Sequence, residues 1–413
     1  MAIRTRRDII SEVRWLIGER VRSLEISSTE LVLWIISGLS LVVWLYLWLF
    51  HGGFWRADQR LEAIDLPENP PAVTVVIPAR DEADVIAESL TSLLQQDYPG
   101  ALSFFLVDDN SSDATATVGE KAAANAGMSD SVTIIPGAPL PPSWAGKMWA
   151  VQQGLDAATS NNQGSEYILL TDADIRHGKT NLHQLVAKAK SDQLDLVSLM
   201  VNLKCVSIWD WLLIPAFVFF FQKLFPFSIV NKPDSRLAAA AGGCMLVRRT
   251  ALERIGGVIS LKSAIIDDCA LARALKTRGP IWLGLSTETE SIRAYNRLGS
   301  IWQMVTRSAF EQLNNSFIIL CGTAIGMVLI YLAPPAIMQL SLLWDATIPM
   351  LMAGAAWALM AFLSAPTFKL YGLSPVYGLL LPIAGLLYLL MTIDSARRYW
   401  LKKGGGWKGR TYS

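Results

Sequence analysis

The sequence predicts an α/β domain with a mostly parallel sheet, joined to apolar α-helices that are long enough to span a membrane. Two observations lead to this fold class. Between residues 71 and 310, short β-branched runs alternate with amphipathic helical stretches, which is typical of parallel strands covered by helices on both faces. Outside that region, charge-free apolar runs of about 20 residues or more occur towards both ends of the chain.

The composition agrees with a membrane protein and argues against several kinds of site. Charged residues make up 17% of the chain and hydrophobic residues 52%, whereas about a quarter of the residues in a typical soluble domain are charged. The net charge of +1 provides no overall field that would attract nucleic acid. The four cysteines are far apart and only three histidines occur, which disfavours disulfides and zinc and favours reduced thiols facing the cytosol.

The apolar runs outside the α/β region are predicted membrane helices. Residues 31–50 carry no charge and contain tryptophans that suit the membrane–water interface. Three further charge-free runs follow the α/β region, at residues 312–344, 346–368 and 370–393. Pro334 and Pro335 interrupt the first of these three, so one span plus a kinked or interfacial piece is an alternative for it.

A further apolar stretch, residues 205–230, is rich in Phe and Trp but also carries Asp210 and Lys223. We interpret it as an interfacial amphipathic segment on the bilayer surface, where a lipid-like molecule would approach. A hydrophobic core helix explains the same pattern equally well. The chain is thus divided into a basic segment with a membrane helix, a central domain that includes this stretch, transmembrane helices and a basic tail: residues 1–55, 72–312, 313–395 and 396–413.

Acidic loops follow three of the predicted strands. Ligands of parallel α/β sheets bind at the carboxyl ends of the strands. The loops are residues 78–82, 108–115 and 171–174. We therefore expect their carboxylates to meet at one edge of the sheet, where they repel one another unless a cation or a bound ligand relieves them.

Asp172 and Asp174 are the candidate metal ligands at this edge. If the strand continues through them, their side chains point the same way, and such a pair suits a hard cation, Mg²⁺ or Mn²⁺, that bridges a diphosphate. Asp108 and Asp109 are candidates to accept hydrogen bonds from a uracil or a ribose. Any single aspartate here is also explained by a turn or a helix cap, and we expect Asp113 to be an N-cap.

A second acidic pair, Asp267 and Asp268, opens a predicted helix. A carboxylate at a helix N-terminus is stabilised by the helix dipole, which explains the pair without catalysis. The alternative is a general base that removes the proton of an acceptor hydroxyl.

In these motifs, residues 72–312 resemble the family 2 glycosyltransferases with the nucleotide-diphospho-sugar (GT-A) fold. The similarity rests on ordered motifs rather than one pattern. They are residues 75–82, with Asp81 in place of the usual Asn, and residues 107–115, 146–150, 172–174, 242–257 and 267–268. A Q-x-x-R-W motif common in membrane-bound members is incomplete here: Gln303 is shifted and Arg307 has no following tryptophan, which favours a single sugar transfer.

The resemblance implies a role for each residue of these motifs. Asp268 is the expected catalytic base, with Asp267 beside it, and Asp172 and Asp174 are the expected ligands of Mg²⁺ or Mn²⁺. The expected donor-binding residues are Pro78, Ala79, Arg80, Glu82, Asp108, Asp109, Lys147, Asp172 and Arg307. For Arg307, a juxtamembrane position at the lipid interface is the equally weighted alternative.

The order of membrane and catalytic segments is most similar to that of the hopanoid-biosynthesis-associated glycosyltransferases, with ceramide and carotenoid-type glycosyltransferases as cousins. This implies inverting transfer of one sugar from a nucleotide-diphospho-sugar, with UDP as the expected nucleotide, to a membrane lipid, with a hopanoid-related lipid as a candidate acceptor. No nucleic-acid partner is expected. The alternatives are a polyprenyl-phosphate sugar transferase and a non-catalytic protein that transports or organises lipids.

Topology follows from two opposing considerations. Basic residues near both ends predict that both ends face the cytosol, and one crossing at residues 31–50 then places the central domain outside. Nucleotide sugars, however, are made in the cytosol. We therefore expect a multi-pass protein of the cell membrane whose catalytic domain faces the cytoplasm.

Overall fold

The computed structural model describes residues 28–160, 164–264 and 266–401, and the backbone of residues 406–407 and 410–411. The basic stretch within residues 1–27 and most of the predicted basic tail lie outside the described residues. The strands are β1 (Val73–Ala79), β2 (Leu102–Asp108), β3 (Val132–Pro136), β4 (Tyr167–Thr171), β5 (Ile175–Arg176), β6 (Leu196–Leu203), β7 (Cys244–Arg248), β8 (Ile281–Ser291), β9 (Gly406–Trp407) and β10 (Arg410–Thr411).

Helices cover the sheet and form the apolar part of the chain. They are α1 (Ser28–Leu49), α2 (Ile86–Leu94), α3 (Thr115–Asn125), α4 (Gly146–Ser160), α5 (Asn181–Ser191), α6 (Ile208–Leu224), α7 (Phe227–Val230), α8 (Arg249–Arg254), α9 (Asp267–Lys276), α10 (Leu298–Thr306), α11 (Phe317–Met327), α12 (Ala333–Leu343), α13 (Thr347–Leu370) and α14 (Leu381–Trp400). Helix α14 therefore continues past residue 395, the predicted end of the membrane segment.

Strands β1 to β8 form one mixed sheet in the order β3-β2-β1-β4-β7-β6-β8-β5. Strands β3, β2, β1 and β4 are parallel neighbours, and β6 is parallel to β8. Strand β7 runs antiparallel to both β4 and β6, and β5 antiparallel to β8. The predicted α/β fold class is confirmed, with β7 as the antiparallel strand in the middle of the sheet.

Each face of the sheet contributes to its own hydrophobic core, because successive strand residues point to opposite sides. Val75 and Ile77 pack in the core that contains Leu90 of α2 and Leu185 of α5. Val76 packs in the other core, which includes residues of α4, α6 and α9. Both faces of the central strands are therefore buried, as expected for parallel strands.

Helix α6 lies between the sheet and the apolar helices. Its Ile214 and Val218 belong to the core on the sheet face, whereas Leu213 and Phe219 belong to the core formed with the apolar helices. The helix begins with a capping box, in which the Ser207 side chain accepts the backbone N–H of Asp210. Residues 208–224 are thus covered on two sides, which is the packing of the core-helix alternative.

Within the residues that the structure describes, five helical segments are long and apolar enough to cross a membrane: Ser28–Leu49, Ile208–Val230, Phe317–Leu343, Thr347–Leu370 and Pro375–Trp400. In the third, a π-helical turn at residues 328–332 joins α11 to α12 immediately before Pro334, so the prolines do not end the helix. At one end of the bundle Leu33 packs with Ile337 and Ala353, and at the other Trp44 packs in the cluster that contains Leu213.

The chain after α13 enters the apolar bundle and then returns. Tyr371 lies against the α/β domain, where its hydroxyl accepts the Leu203 N–H at 3.5 Å. Residues 375–380 then fold back along α13, with the Trp357 Nε1–H donating to the Leu379 carbonyl at 3.2 Å. Helix α14 runs back to α10, where the Ser395 hydroxyl donates to the Thr306 carbonyl at 2.7 Å. The last of the five candidate spans therefore begins and ends on the side of the α/β domain.

Candidate active site

The acidic loops meet because the strands that precede them are parallel neighbours. Ala79 at the end of β1 is in register with Asp108 at the end of β2, and β4 pairs with β1 on its other side. The Asp109 N–H donates to the Ala79 carbonyl at 2.8 Å, beyond the last paired residues. Loops 78–82, 108–115 and 171–174 therefore lie along one edge of the sheet.

Lys147 lies at the centre of this edge, in the first turn of α4. Its Nζ atom is 2.8 Å from Asp172 Oδ1 and 3.0 Å from Asp267 Oδ2. Burial alone would lower the pKa of Lys147, but the charges of Asp172 and Asp267 outweigh it and hold the pKa above its ordinary value. The ammonium thus links the loop after β4 to the start of α9.

Asp172 and Asp174 lie in a turn rather than in a strand. Strand β4 ends at Thr171 and does not continue through Asp172 and Asp174. The condition under which their side chains would point the same way is therefore not met. Asp172 pairs with Lys147, whereas Asp174 Oδ2 accepts Arg293 Nε–H at 3.0 Å. Burial raises the pKa of Asp172, and the Lys147 ammonium opposes this rise. Each carboxylate is therefore neutralised by a different cationic side chain.

The same two carboxylates fit a divalent cation by their donor chemistry. Asp172 contacts Lys147 through Oδ1 and Asp174 contacts Arg293 and Ser291 through Oδ2, so the other oxygen of each carboxylate is the one that would bind a metal ion. Among the described residues, no cluster of three or more His, Cys, Asp or Glu side chains stands ready to hold a metal. A cation here would complete its coordination with oxygens of a bound ligand or water.

Asp268 lies at the start of α9, facing the glycines that precede β7. Its Oδ2 accepts the Gly242 N–H at 2.9 Å, and its Oδ1 accepts the Cys269 N–H at 2.7 Å. Burial and the neighbouring charge of Asp267 raise the pKa of Asp268 to about 6, against the opposing influence of Lys147. This carboxyl therefore titrates just below neutral pH, in the range useful to a general base.

Gly242 leaves space for both charged groups. A Cβ atom at this position would lie 3.2 Å from Lys147 Nζ and 3.5 Å from Asp268 Oδ2. A side chain here would thus crowd the ammonium between the two loops. The absence of a side chain, rather than an unusual φ, explains the glycine.

The loops after β1 and β2 are held together by their own polar groups. Asp81 has a φ of 51° and its Oδ1 accepts the Ser112 N–H at 2.6 Å, which is the main reason that its pKa is lowered. Arg80 Nη1 donates to the carbonyl of Asp109 at 2.6 Å. Asp113 is not the predicted N-cap, because α3 begins one residue later with Ala114 at the cap position. Instead, Asp113 accepts the N–H groups of Ala83 and Thr115.

The structure brings most of the sequence-predicted residues together. Pro78, Lys147, Asp172 and Asp267 line one cavity, together with Met148, Val151, Leu170, Thr171, Gly242, Met245, Val258 and Leu271. Ala79 and Asp109 are buried beside it. The Asp108 carboxylate instead accepts the Ser111 N–H at 3.1 Å, which stabilises the turn.

Arg307 is exposed at the C-terminal end of α10, outside this cavity. It is nevertheless close enough to Tyr295 to act on that residue. Burial and the charge of Asp174 raise the pKa of Tyr295, and the positive charges of Arg293 and Arg307 oppose that rise. Arg307 therefore lies on the same side of the domain as Asp174.

Sequence reasoning missed two residues at this edge. Arg293 binds Asp174 and also contacts Glu82, so it joins the loop after β1 to the turn after β4. His177 is buried and bonds to Thr171, directly before Asp172. Neither lies in a motif of the sequence, and their proximity to the site depends on the pairing of β5 with β8.

Comparison with known proteins identifies the domain. Residues 74–256 match the family model described as Glycosyl transferase family 2. These residues are thus similar to a family 2 glycosyltransferase domain. A mannosyltransferase of Pyrobaculum calidifontis, solved in complex with GDP-Man and Mn²⁺, is similar in structure, with a TM-score of 0.50 at 19% identity over 91% of this chain and 97% of that one. This similarity shows that the two share the GT-A-like fold.

Two curated relatives of the glycosyltransferase domain match shorter stretches. The chain is 38% identical over 76 residues to an N-acetylglucosaminyltransferase of Rhizobium leguminosarum bv. viciae, which covers 18% of each chain. It is 34% identical over 117 residues to a 4,4'-diaponeurosporenoate glycosyltransferase of Staphylococcus aureus, which covers 28% of each. The chain thus aligns with less than a third of the length of these relatives.

Proposed function

We propose that this protein is a membrane glycosyltransferase that transfers one sugar from a nucleotide-diphospho-sugar to a membrane lipid with inversion. The observation that carries the proposal is the Lys147 ammonium between Asp172 and Asp267, with Asp268 beside them. Asp172, Lys147 and Asp267 line one cavity, and the base candidate Asp268 directly follows Asp267. In an inverting transfer, the leaving group and the attacking hydroxyl must lie on opposite faces of the sugar. Diphosphate binding and proton removal are therefore assigned to different carboxylates.

The donor half of the reaction involves the loops after β1, β2 and β4. Asp172 and Asp174 would hold Mg²⁺ or Mn²⁺, which supplies positive charge to the departing diphosphate. Lys147 adds a second positive charge on the same side, since its ammonium contacts Asp172 at 2.8 Å. The loops that contain Arg80 and Asp109 are joined to each other and would hold the nucleoside.

The acceptor half involves Asp268. Its carboxylate removes the proton of the acceptor hydroxyl, the hydroxyl oxygen forms a bond to the anomeric carbon, and the bond from that carbon to the diphosphate oxygen breaks. The two N–H groups of Gly242 and Cys269 fix the orientation of this carboxylate. Its pKa of about 6 leaves it ionised at neutral pH and still basic enough to accept a proton.

A lipid acceptor is supported by the position of the apolar helices. Phe217, Tyr295 and Met304 pack against both the core below the site and the core of the apolar bundle. The site therefore lies directly beside the part of the chain that would contact lipid. We propose a UDP-sugar as donor, a hopanoid-related lipid as acceptor and a cytoplasmic orientation for the domain, in keeping with the family resemblance of the sequence.

A donor screen tests this function. Membranes that contain the protein are incubated with radiolabelled nucleotide sugars, with and without EDTA, and the extracted lipids are analysed by mass spectrometry. We expect one lipid to gain the mass of one sugar, and EDTA to abolish the gain. Repeated sugar addition, transfer to polyprenyl phosphate, or no binding of any nucleotide sugar would contradict the proposal.

A further inference from the structure

His177 is a buried imidazole next to the proposed donor site that has no part in the mechanism above. It lies directly after β5, between the sheet and α5. Its Nε2 is 2.9 Å from the Thr171 hydroxyl, and its Nδ1 is 2.9 Å from the Asn181 side-chain nitrogen. Both ring nitrogens are thus in hydrogen bonds with buried groups.

The directions of these hydrogen bonds are fixed by their partners. The Thr171 hydroxyl is 2.8 Å from the Gly243 carbonyl, which only accepts, so its single proton goes there rather than to the more distant Asp172 carbonyl at 3.5 Å. The Thr171 oxygen must then accept from His177 Nε2–H. The Asn181 amide can only donate through its nitrogen, so His177 Nδ1 accepts. The ring is therefore the neutral Nε2–H tautomer, and burial lowers the pKa of His177 to about 3.

This chain of hydrogen bonds ends at both halves of the proposed site. Thr171 immediately precedes Asp172, which pairs with Lys147. Gly243 immediately follows Gly242, whose N–H binds the Asp268 carboxylate at 2.9 Å. The Thr171 hydroxyl is thus the point at which the end of β4 is joined to the turn before β7.

We infer that His177 is a positioning residue: through Thr171 it sets the distance between the Asp172 turn and the Gly242–Gly243 turn that orients Asp268. The inference rests on the proposed glycosyl transfer. Because His177 holds the separation of donor and base rather than binding either substrate, its loss affects the chemical step more than donor affinity.

Three variants test this role. His177→Leu removes both hydrogen bonds, His177→Gln keeps one donor and one acceptor, and Thr171→Val removes the bridging hydroxyl at nearly constant size. His183→Leu is the matched control, because His183 lies in the first turn of α5 and its ring nitrogen is 3.3 Å from the Ile64 carbonyl, away from Thr171 and Asn181. We expect His177→Leu and Thr171→Val to lower kcat by about tenfold or more with a donor KM within about threefold of wild type.

His177→Gln should recover part of the lost kcat. The double variant His177→Leu/Thr171→Val should be no slower than the slower single variant, because both substitutions break the same connection between His177 and Thr171. The control should keep wild-type kcat per folded protein. Wild-type kcat in Thr171→Val, or an equal loss in His183→Leu, would overturn the inference.

A spectroscopic measurement separates this inference from the proposed function. In ¹⁵N-histidine-labelled protein in detergent, we expect the His177 ring to give the Nε2–H tautomer signals, unchanged from pH 5 to pH 8. The Thr171→Val variant should alter them. An imidazolium or an Nδ1–H tautomer would overturn the hydrogen-bond chain even in an active enzyme, whereas failure of wild type to transfer any sugar would overturn the proposed function alone.

Discussion

Asp268 and Asp172 are both acidic residues at the same edge of the sheet, and their surroundings give them different properties. Asp172 is in direct contact with the Lys147 ammonium, at 2.8 Å. Asp268 accepts two backbone N–H groups, and burial with the adjacent Asp267 raises its pKa to about 6. The difference arises from the partners of each carboxylate, which underlie the charge-binding and proton-accepting roles that we propose.

We expect Asp268→Asn to lower kcat by a factor of ~10² to 10⁴, the usual contribution of a general base, while donor affinity stays near wild type. In the wild type, kcat/KM should fall about tenfold per pH unit below pH 6, because Asp268 must be deprotonated to act. Steady-state kinetics between pH 4.5 and 8 measure both effects. Near-normal turnover in Asp268→Asn would instead favour an acceptor that is already a nucleophile, such as polyprenyl phosphate.

Lys147→Met should move the acidic limb of the pH–rate profile to higher pH. Burial and Asp267 raise the pKa of Asp268 and the Lys147 charge lowers it, so the loss of that charge raises the pKa further, even though the Gly242 and Cys269 N–H groups still lower it. Lys190→Met is the matched control, since Lys190 also pairs with a carboxylate, that of Glu166, and neither residue lines the site. An unshifted limb in Lys147→Met would show that another group controls the profile.

Among the elements, α6 has the most consequential packing, because it contacts the sheet with one face and the apolar helices with the other. Its position depends on the capping box at its start, where Asp210 Oδ2 also accepts the N–H groups of Val206 and Ser207. Asp210 is fully buried, so these bonds offset the cost of removing its carboxylate from water. The apolar pattern of residues 205–230 fits an interfacial segment and a core helix alike, and the packing of α6 on two sides is in keeping with a core helix.

Ser207→Ala should destabilise the protein by about 1 kcal/mol, the usual loss for an N-cap hydroxyl. The expected result is a fall of roughly 2 °C in Tm in detergent solution, measured by thermal unfolding. Thr159→Ala is the control, since this exposed hydroxyl donates to the Leu155 carbonyl within its own helix. Equal Tm values for Ser207→Ala and the wild type would mean that the capping box contributes nothing to stability.

At the scale of the whole molecule, the contacts place the two ends of the apolar bundle on opposite sides. Leu33 packs near the α12–α13 turn at the end away from the α/β domain, whereas Trp44 packs near α6. Helix α1 therefore runs towards the domain, and the segment between Tyr371 and Ser395 starts and finishes beside it. With a cytoplasmic domain, the start of α1 would face the other side of the membrane, contrary to the positive-inside expectation for the basic N-terminal segment.

Cysteine labelling tests this topology. In a Cys321→Ser background, Glu120→Cys places an exposed thiol on α3 of the α/β domain, and Asp345→Cys places one in the turn between α12 and α13. In inverted membrane vesicles, an impermeant maleimide should label Glu120→Cys and leave Asp345→Cys unlabelled, with the reverse in right-side-out vesicles. Labelling of both positions from one side would contradict the proposed crossing.

The sequence by itself determined the fold class, the acidic loops and the apolar runs that are long enough to cross a membrane. Strand ends followed by Asp108, Asp172 and their neighbours are local patterns, and hydrophobic periodicity and length are properties of contiguous residues. Only the tertiary structure decided which charges are neighbours. Lys147 and Asp267 meet across more than a hundred residues of chain, and so do Asp174 and Arg293. Such contacts depend on strand order and helix packing, which no window of the sequence contains.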